Sequence, residues 1–246
     1  MIIKPNIMTY KTFAFCGLLL LATNLLLAQT NILKQNNNKA DIKSSIKLLY
    51  KDYFNNGTKN WSAEFEKPVG SIILANKGYL DINTAGGATV WFKTKLCGNI
   101  IITYKILVVD KGGKNDRVSD MNAFWMATNP KSSNIFIQDG KFSSYNNLNL
   151  YYAGVGGHDN TFTRFRKYRG GAGKDVIKEY NDSSHLLKGN KLYNVKIVCK
   201  NGLIQYFLND ALFWEFKDEK PYKEGYFGFR TTKSHQQIYS FKVNSI

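Results

Sequence analysis

The stretch Tyr151 to Tyr168, YYAGVGGHDNTFTRFRKY, concentrates side chains able to bind or move charge: paired tyrosines, a glycine-rich turn, His158, Asp159, Asn160, Arg164 and Arg166. Successive side chains of an extended strand face opposite sides. Phe162, Arg164 and Arg166 therefore share one face, and Thr161, Thr163 and Phe165 share the other. Two guanidiniums side by side make a planar, bidentate grip for a carboxylate or sulfate that lysine does not reproduce. The plainer alternative is a solvated or salt-bridged face, the usual fate of paired arginines on a strand.

A second polar group lies in Asp110 to Pro130, DKGGKNDRVSDMNAFWMATNP, which starts as a glycine-containing loop and ends in an aromatic strand. Asp110, Asp116, Arg117, Asp120 and Asn122 are close enough in sequence to form a network, with Trp125 beyond them. Three readings stand side by side. The group can line a sugar site, where Asp and Asn meet hydroxyls and aromatics meet ring faces; it can cap a loop; or it can hold a structural calcium ion through oxygen ligands. Trp91, Trp125 and Trp214 all lie in apolar strands, where core packing is the ordinary role. Glu64 and Glu66 share the polar face of a strand whose other face carries Trp61, Ala63 and Phe65. Such neighbours suit a retaining glycosidase better than an inverting one, but solvated edge charges are the favoured reading. Arg169 to Lys178, RGGAGKDVIK, lacks the spacing and strand-to-helix context of a phosphate loop. It is expected to be a mobile basic flap over an anionic ligand.

The elements that must position these groups are strands. Short runs bounded by Gly, Asn or Asp recur at Trp61 to Glu66, Ser71 to Ala75, Tyr79 to Ile82, Thr89 to Lys93 and Ile100 to Val109. They recur again at Leu192 to Val198, Leu203 to Leu208, Leu212 to Phe216, Tyr226 to Thr231 and Ile238 to Val243. Asn76-Lys77-Gly78, Asn201-Gly202 and Asn209-Asp210 are hairpin turn signals. No amphipathic stretch of helical period follows the first segment, so the chain is read as all-β.

That first segment is expected to be removed. Lys4 and Lys11 precede the apolar run Phe13 to Ala28, the pattern of a secretory signal peptide over residues 1–28. Cys16 lies before most of the run, where a lipidation cysteine would follow it. Residues 29–45, rich in Asn, Lys and Gln, read as a flexible leader, and residues 46–246 as one domain. The destination is the periplasm or the outside of the cell, with no membrane span in the mature chain. Cys97 and Cys199 sit in apolar contexts and are expected to be buried free thiols. No Cys/His spacing resembles a zinc site, no cofactor is expected, and a monomer is expected. The formal charge of +16 attracts nucleic acid only in a salt-dependent, sequence-blind way, and the export signal argues against that partner.

The closing segments YNVKIVCKNGLIQYFLNDALFWEF, GYFGFRTT and IYSFKV resemble those of the concanavalin A-like jelly-roll sandwiches. DRVSDMNAFWMA, YYAGVGGHDNTFTRFRKY and PYKEGYFGFRTTKSH resemble the signature stretches of DUF6250, a family of exported bacterial proteins found with polysaccharide-degradation genes, notably in Bacteroidetes. The resemblance covers roughly Trp61 to Val243. It implies a jelly roll of two antiparallel sheets and a partner that is a polysaccharide, acidic on the evidence of the arginines.

Several jelly-roll relatives are polysaccharide lyases, and β-elimination needs a cation at the uronate carboxylate, a base for the C5 proton and an acid for O4. Arg164 or Arg166 suits the first, Tyr152 or His158 the second, Tyr168 the third, with His235 a further candidate. Asp120, Asn122, Trp125, Tyr151, Asn160, Arg166 and Arg230 are the residues expected to touch substrate. A carbohydrate-binding module using the same groove without a base, and a glycoside hydrolase on the same fold, remain the alternatives.

Overall fold

The computed structural model describes Gln29 and residues 46–246. The expected signal peptide, with Cys16, and the leader apart from Gln29 lie outside the described residues. Leu48–Ile246 make one compact unit, in which two antiparallel sheets face each other. Strands are numbered along the chain.

The first sheet has the order β14 (Ala211–Lys217), β13 (Leu203–Leu208), β12 (Leu192–Lys200), β7 (Ile100–Val108), β16 (His235–Ser245), β4 (Tyr79–Asn83), β3 (Ile72–Asn76), with β1 (Lys47–Asp52) also on β16. The second has the order β11 (Lys174–Tyr180), β10 (Phe162–Arg169), β9 (Asn149–Gly156), β8 (Met121–Thr128), β15 (Glu224–Thr232), β5 (Gly87–Phe92), β2 (Trp61–Phe65), with β6 (Leu96–Cys97) on β15. The three hairpin signals form as read. Lys77 and Gly78, Asn201 and Gly202, and Asn209 and Asp210 all take positive φ, the conformation whose twist matches flanking strands. The basic flap expected at Arg169 to Lys178 is a correction: from Lys174 onward it is edge strand β11, paired along β10. Its alternating exposed and half-buried residues satisfy the free edge of β10.

Alternation sorts the second sheet into two faces. Val90, Phe92, Ala123, Trp125, Tyr151, Phe165, Phe227 and Phe229 point into the sandwich, where they meet Ile102, Tyr104, Tyr206, Trp214 and Phe241 of the other sheet. Trp125 stacks on Phe165 at 5.8 Å between ring centroids, and Phe165 on Trp214 at 5.4 Å. The outward face is only partly free. The segment 129–148, including a 3-10 turn at Phe142–Asn147, crosses it and encloses a second apolar cluster. Trp91, Phe124, Ile135, Tyr145, Leu148, Leu150 and Tyr168 are all fully buried there.

Two side chains pin that segment. Glu64 accepts from Trp91 Nε1 (2.8 Å), Tyr145 Oη (2.9 Å) and the amide of Gln138 (2.8 Å). Arg230 donates to the carbonyl of Gly140 at 2.6 Å. Glu64 is therefore no solvated edge charge: it is 7% exposed, and burial raises its pKa against the pull of its three donors. Of the two cysteines among the described residues, both free, Cys199 is buried as expected and Cys97, expected buried, is exposed on the short strand β6.

Candidate functional site

What remains open on the outward face is a cleft of about 450 Å³. Its floor is Asn122 on β8 and Tyr152 on β9, with Arg164 and Arg166 on β10 and Phe142 of the crossing segment. The opposite rim is made by Gly157, His158, Asp159 and Phe162, and by Arg117, Asp120 and Thr232. The alternation anticipated for β10 is observed from Phe162 onward: Phe162, Arg164 and Arg166 are half-buried on the cleft side and Thr163 and Phe165 buried inside, whereas Thr161, expected with the inner set, is exposed where the preceding turn ends.

The rim containing His158 has an unusual backbone. His158, Asp159 and Asn160 take φ of 50°, 57° and 63°, following Gly156 at 66°, so the chain makes a left-handed turn closed by Thr161 N donating to Gly157 O. Left-handed geometry is disfavoured for L-residues, least so for Asn, Asp and His. It persists because side chains over-determine it. Asn160 bonds both backbone groups of Leu187 (3.0 and 2.8 Å), Thr161 Oγ1 donates to His158 O (2.8 Å), and Asp159 pairs with Arg117. Asn160 thus serves the turn rather than the cleft, a correction to its expected role.

Arg117, which sequence placed in the loop network but not at the site, ties the rim together. Its guanidinium pairs with both Asp120 and Asp159 and donates to the carbonyl of Thr232, and its Nε donates to Lys233 O at 2.9 Å. The pairing holds the exposed Asp159 below the usual carboxylate range. Asp116 is engaged elsewhere: burial works against its charge, but the amides of Lys111 and Gly113 and the ring of His235 hold its pKa down. These carboxylates face N–H donors and not one another. Among the described residues no three His, Cys, Asp or Glu side chains are placed to share a cation.

The cationic side of the cleft is less evenly matched. Arg164 pairs with Glu179 of β11, and its guanidinium carbon lies 4.1 Å from the centre of the Phe162 ring. Arg166 has no carboxylate partner among the described residues, and its Nε is buried without a hydrogen bond. Lys174 stands close enough that burial, then Arg166 and Arg164, push its pKa down. Asn122 Oδ1, on the floor, also lacks a partner. Tyr152 lies directly across from Arg166 in the register of β9 and β10. Its hydroxyl rests against Gly154, where a Cβ would come within 2.1 Å of it, so only glycine leaves the ring in place. Burial raises the Tyr152 phenol far above its ordinary range, only partly opposed by Arg166 and Arg230.

Five other candidates stand elsewhere. Trp125 and Tyr151 are inside the sandwich with no exposed surface, Tyr151 donating to Asp218 at 2.5 Å. Tyr168 is on the cleft side of β10 but fully covered by the second cluster; burial raises its pKa, with Arg166 opposing. Arg230 is 1% exposed beneath Gly140. His235 opens β16 in the other sheet, held between Asp81 (Nε2, 2.8 Å) and Asp116 (Nδ1, 2.9 Å). The structure therefore gathers Asp120, Asn122, Tyr152, His158, Arg164 and Arg166 and separates them from the remaining six. Phe142 was missed because its contact with the cleft depends on where a long loop crosses.

The family described as a domain of unknown function, DUF6250, matches residues 82–241. No curated protein matches the chain. Among solved structures it is similar to a Bacillus subtilis protein of unknown function with a galectin-like fold, at a TM-score of 0.65 and 16% identity over 80% of this chain and 95% of that one. It is also similar to the endo-beta-1,3-glucanase of Pyrococcus furiosus (TM-score 0.58, 10% identity, 81% and 94% covered). A third is the carbohydrate binding module CBM66 of Bacillus subtilis (TM-score 0.52, 17% identity, 76% and 96% covered). The likeness is one of fold, and it bears out the jelly roll.

Proposed function

This chain belongs to the DUF6250 family, and we propose that its cleft binds an acidic saccharide, whose carboxylate or sulfate pairs with Arg166. The observation that carries this reading is the imbalance on β10: Arg164 and Arg117 are each neutralised by acids, while Arg166 is half-buried, flanked by Lys174 and unpaired with any described carboxylate. A buried cation without its counter-charge is costly unless a ligand supplies one. The rings of Phe142, Tyr152 and Phe162 offer apolar surface to sugar faces, and Asn122 lies on the cleft floor. The fold is shared with a carbohydrate binding module and a glucanase, which supports a saccharide over other anions. The test is electrophoresis through gels cast with uronate, sulfated or neutral polysaccharide. Retardation by acidic gels alone, lost in Arg166→Gln, is expected; equal retardation by neutral gels overturns the reading.

A second reading, β-elimination on the same ligand, is favoured by the placement of Tyr152 opposite Arg166 with His158 on the same cleft. Arg166 would neutralise the uronate carboxylate. The C5 proton would pass to His158, the C4–O4 bond would break as the C4=C5 bond forms, and O4 would take a proton from Tyr152. Burial keeps the Tyr152 phenol protonated, the form from which a donor acts and a base does not. Ultraviolet absorbance of unsaturated uronates is the readout: a rise that His158→Ala abolishes supports elimination, and binding without a rise leaves the chain a binding protein. A glycoside hydrolase fits less well. The cleft carboxylates Asp120 and Asp159 both serve Arg117, and Glu64 is sealed beneath the crossing segment.

A further inference from the structure

One line of residues runs straight across the second sheet. Arg164 is in register with Gly154, Gly154 with Asn122, Asn122 with Arg230, Arg230 with Thr89, and Thr89 with Glu64. All lie on the outward face, so an extended ligand crossing the strands would follow this line. Its two halves differ. Arg164 and Asn122 line the cleft, whereas Arg230, Thr89 and Glu64 are 1%, 0% and 7% exposed.

The division falls where Gln138–Gly140 cross the sheet. Arg230 donates to Gly140 O, and Glu64 accepts from the Gln138 amide. The crossing is a backbone-to-backbone approach that two glycines allow. A Cβ on Gly87 would come within 2.3 Å of Gly140 O, and a Cβ on Gly140 within 2.2 Å of Glu66 N. At the other end the line leaves the sheet over β11, the edge strand, where Arg164 meets Glu179.

Resting on the saccharide reading above, we infer that this groove is closed at its β15–β5 end and open at its β11 end, so that it takes the terminus of a saccharide chain and not an internal stretch. The part of this line that cleft residues cover crosses two interstrand gaps, from β10 to β8, or about 10 Å at roughly 4.8 Å each. That accommodates a short oligosaccharide of about two or three rings. The wall that stops it, Arg230 on Gly140, is fixed at both ends of the contact, which distinguishes it from a lid that opens for a passing chain.

The test uses the full chain with uronate and sulfated polysaccharides, each as polymer and as size-fractionated oligomers. Light scattering or sedimentation gives the number of protein molecules per glycan chain at saturation, and calorimetry gives affinity against length. The expected result is a fixed number of molecules per chain whatever its length, with affinity levelling off at about three residues. Stoichiometry that climbs in proportion to chain length overturns the closed end while leaving Arg166-dependent binding intact. Absence of binding to every acidic glycan removes the saccharide reading itself and this inference with it.

Discussion

Replacing Glu64 by Gln perturbs the segment that shapes the cleft without touching the cleft. The carboxylate is buried and takes three donors, two at Oε2 (Trp91 Nε1 and Tyr145 Oη) and the Gln138 amide at Oε1. A carboxamide has one oxygen, so its NH₂ must face either the Gln138 amide or the Trp91 indole, donor against donor. One buried N–H left unpaired costs about 1–3 kcal/mol, and the bonds that survive lose about 1 kcal/mol each of charge assistance. Relief of the desolvation that raises the Glu64 pKa works in the opposite direction. Where Glu64 is ionised a net loss of about 2 kcal/mol remains, which in a domain of this size lowers Tm by roughly 4–8 °C. The pH dependence has a definite sign. Because the folded pKa lies above the ordinary 4.5, the stability due to Glu64 is full below that value and declines as pH rises through the folded pKa. The deficit of Glu64→Gln is therefore larger near pH 4 than near pH 8 when both proteins are melted by calorimetry. Equal Tm values at both pH values, or a deficit that grows with pH, would refute the anchoring role.

Three further outcomes follow from charges and thiols outside the cleft. His235, whose pKa is raised by its bond to Asp81 and then by Asp116, contributes stability that is full below its ordinary value of 6.5 and lost as pH rises through the folded pKa. The gap between wild type and His235→Gln should accordingly narrow above neutral pH in chemical denaturation, and a gap independent of pH would count against the bridge. Lys167→Met strands Asp218, 7% exposed, without the ammonium 2.8 Å away, and should cost about 3–5 kcal/mol in urea unfolding, with much of it recovered in the double variant that also carries Asp218→Leu. In native alkylation followed by peptide mapping, exposed Cys97 should react while Cys199, buried and with its thiol pushed up to about 12, should not; comparable labelling of both would contradict the burial.

Much of the architecture was legible because it rests on local rules. Hairpin signals at Lys77-Gly78, Asn201-Gly202 and Asn209-Asp210 demand positive φ, and the alternation in Phe162 to Arg166 separates core from cleft by parity alone. What sequence left hidden depends on long-range placement. Strands β8 and β9 are apolar on both faces because the 129–148 segment covers the outward one. Parity therefore distinguishes Tyr151 from Tyr152 but does not say which of them meets a ligand. Arg230 and His235 are five positions apart, yet the turn between β15 and β16 passes from one sheet to the other and takes His235 away from the cleft. Arg117 was visible as a loop residue, but its pairing with Asp159 joins two segments that only the fold brings together.

Recognition of an anionic saccharide group by Arg166 is tested by calorimetric titration with acidic oligosaccharides and their methyl esters, for wild type and Arg166→Gln. A charge-assisted contact of about 1.5–3 kcal/mol corresponds to roughly 10- to 150-fold in affinity. Wild type should lose about that much on esterification of a uronate ligand, Arg166→Gln should show the same loss with the free acid, and the ester should bind both proteins alike. Tighter or equal binding of the ester by wild type, or an Arg166→Gln variant that still prefers the acid by the full factor, would contradict the account.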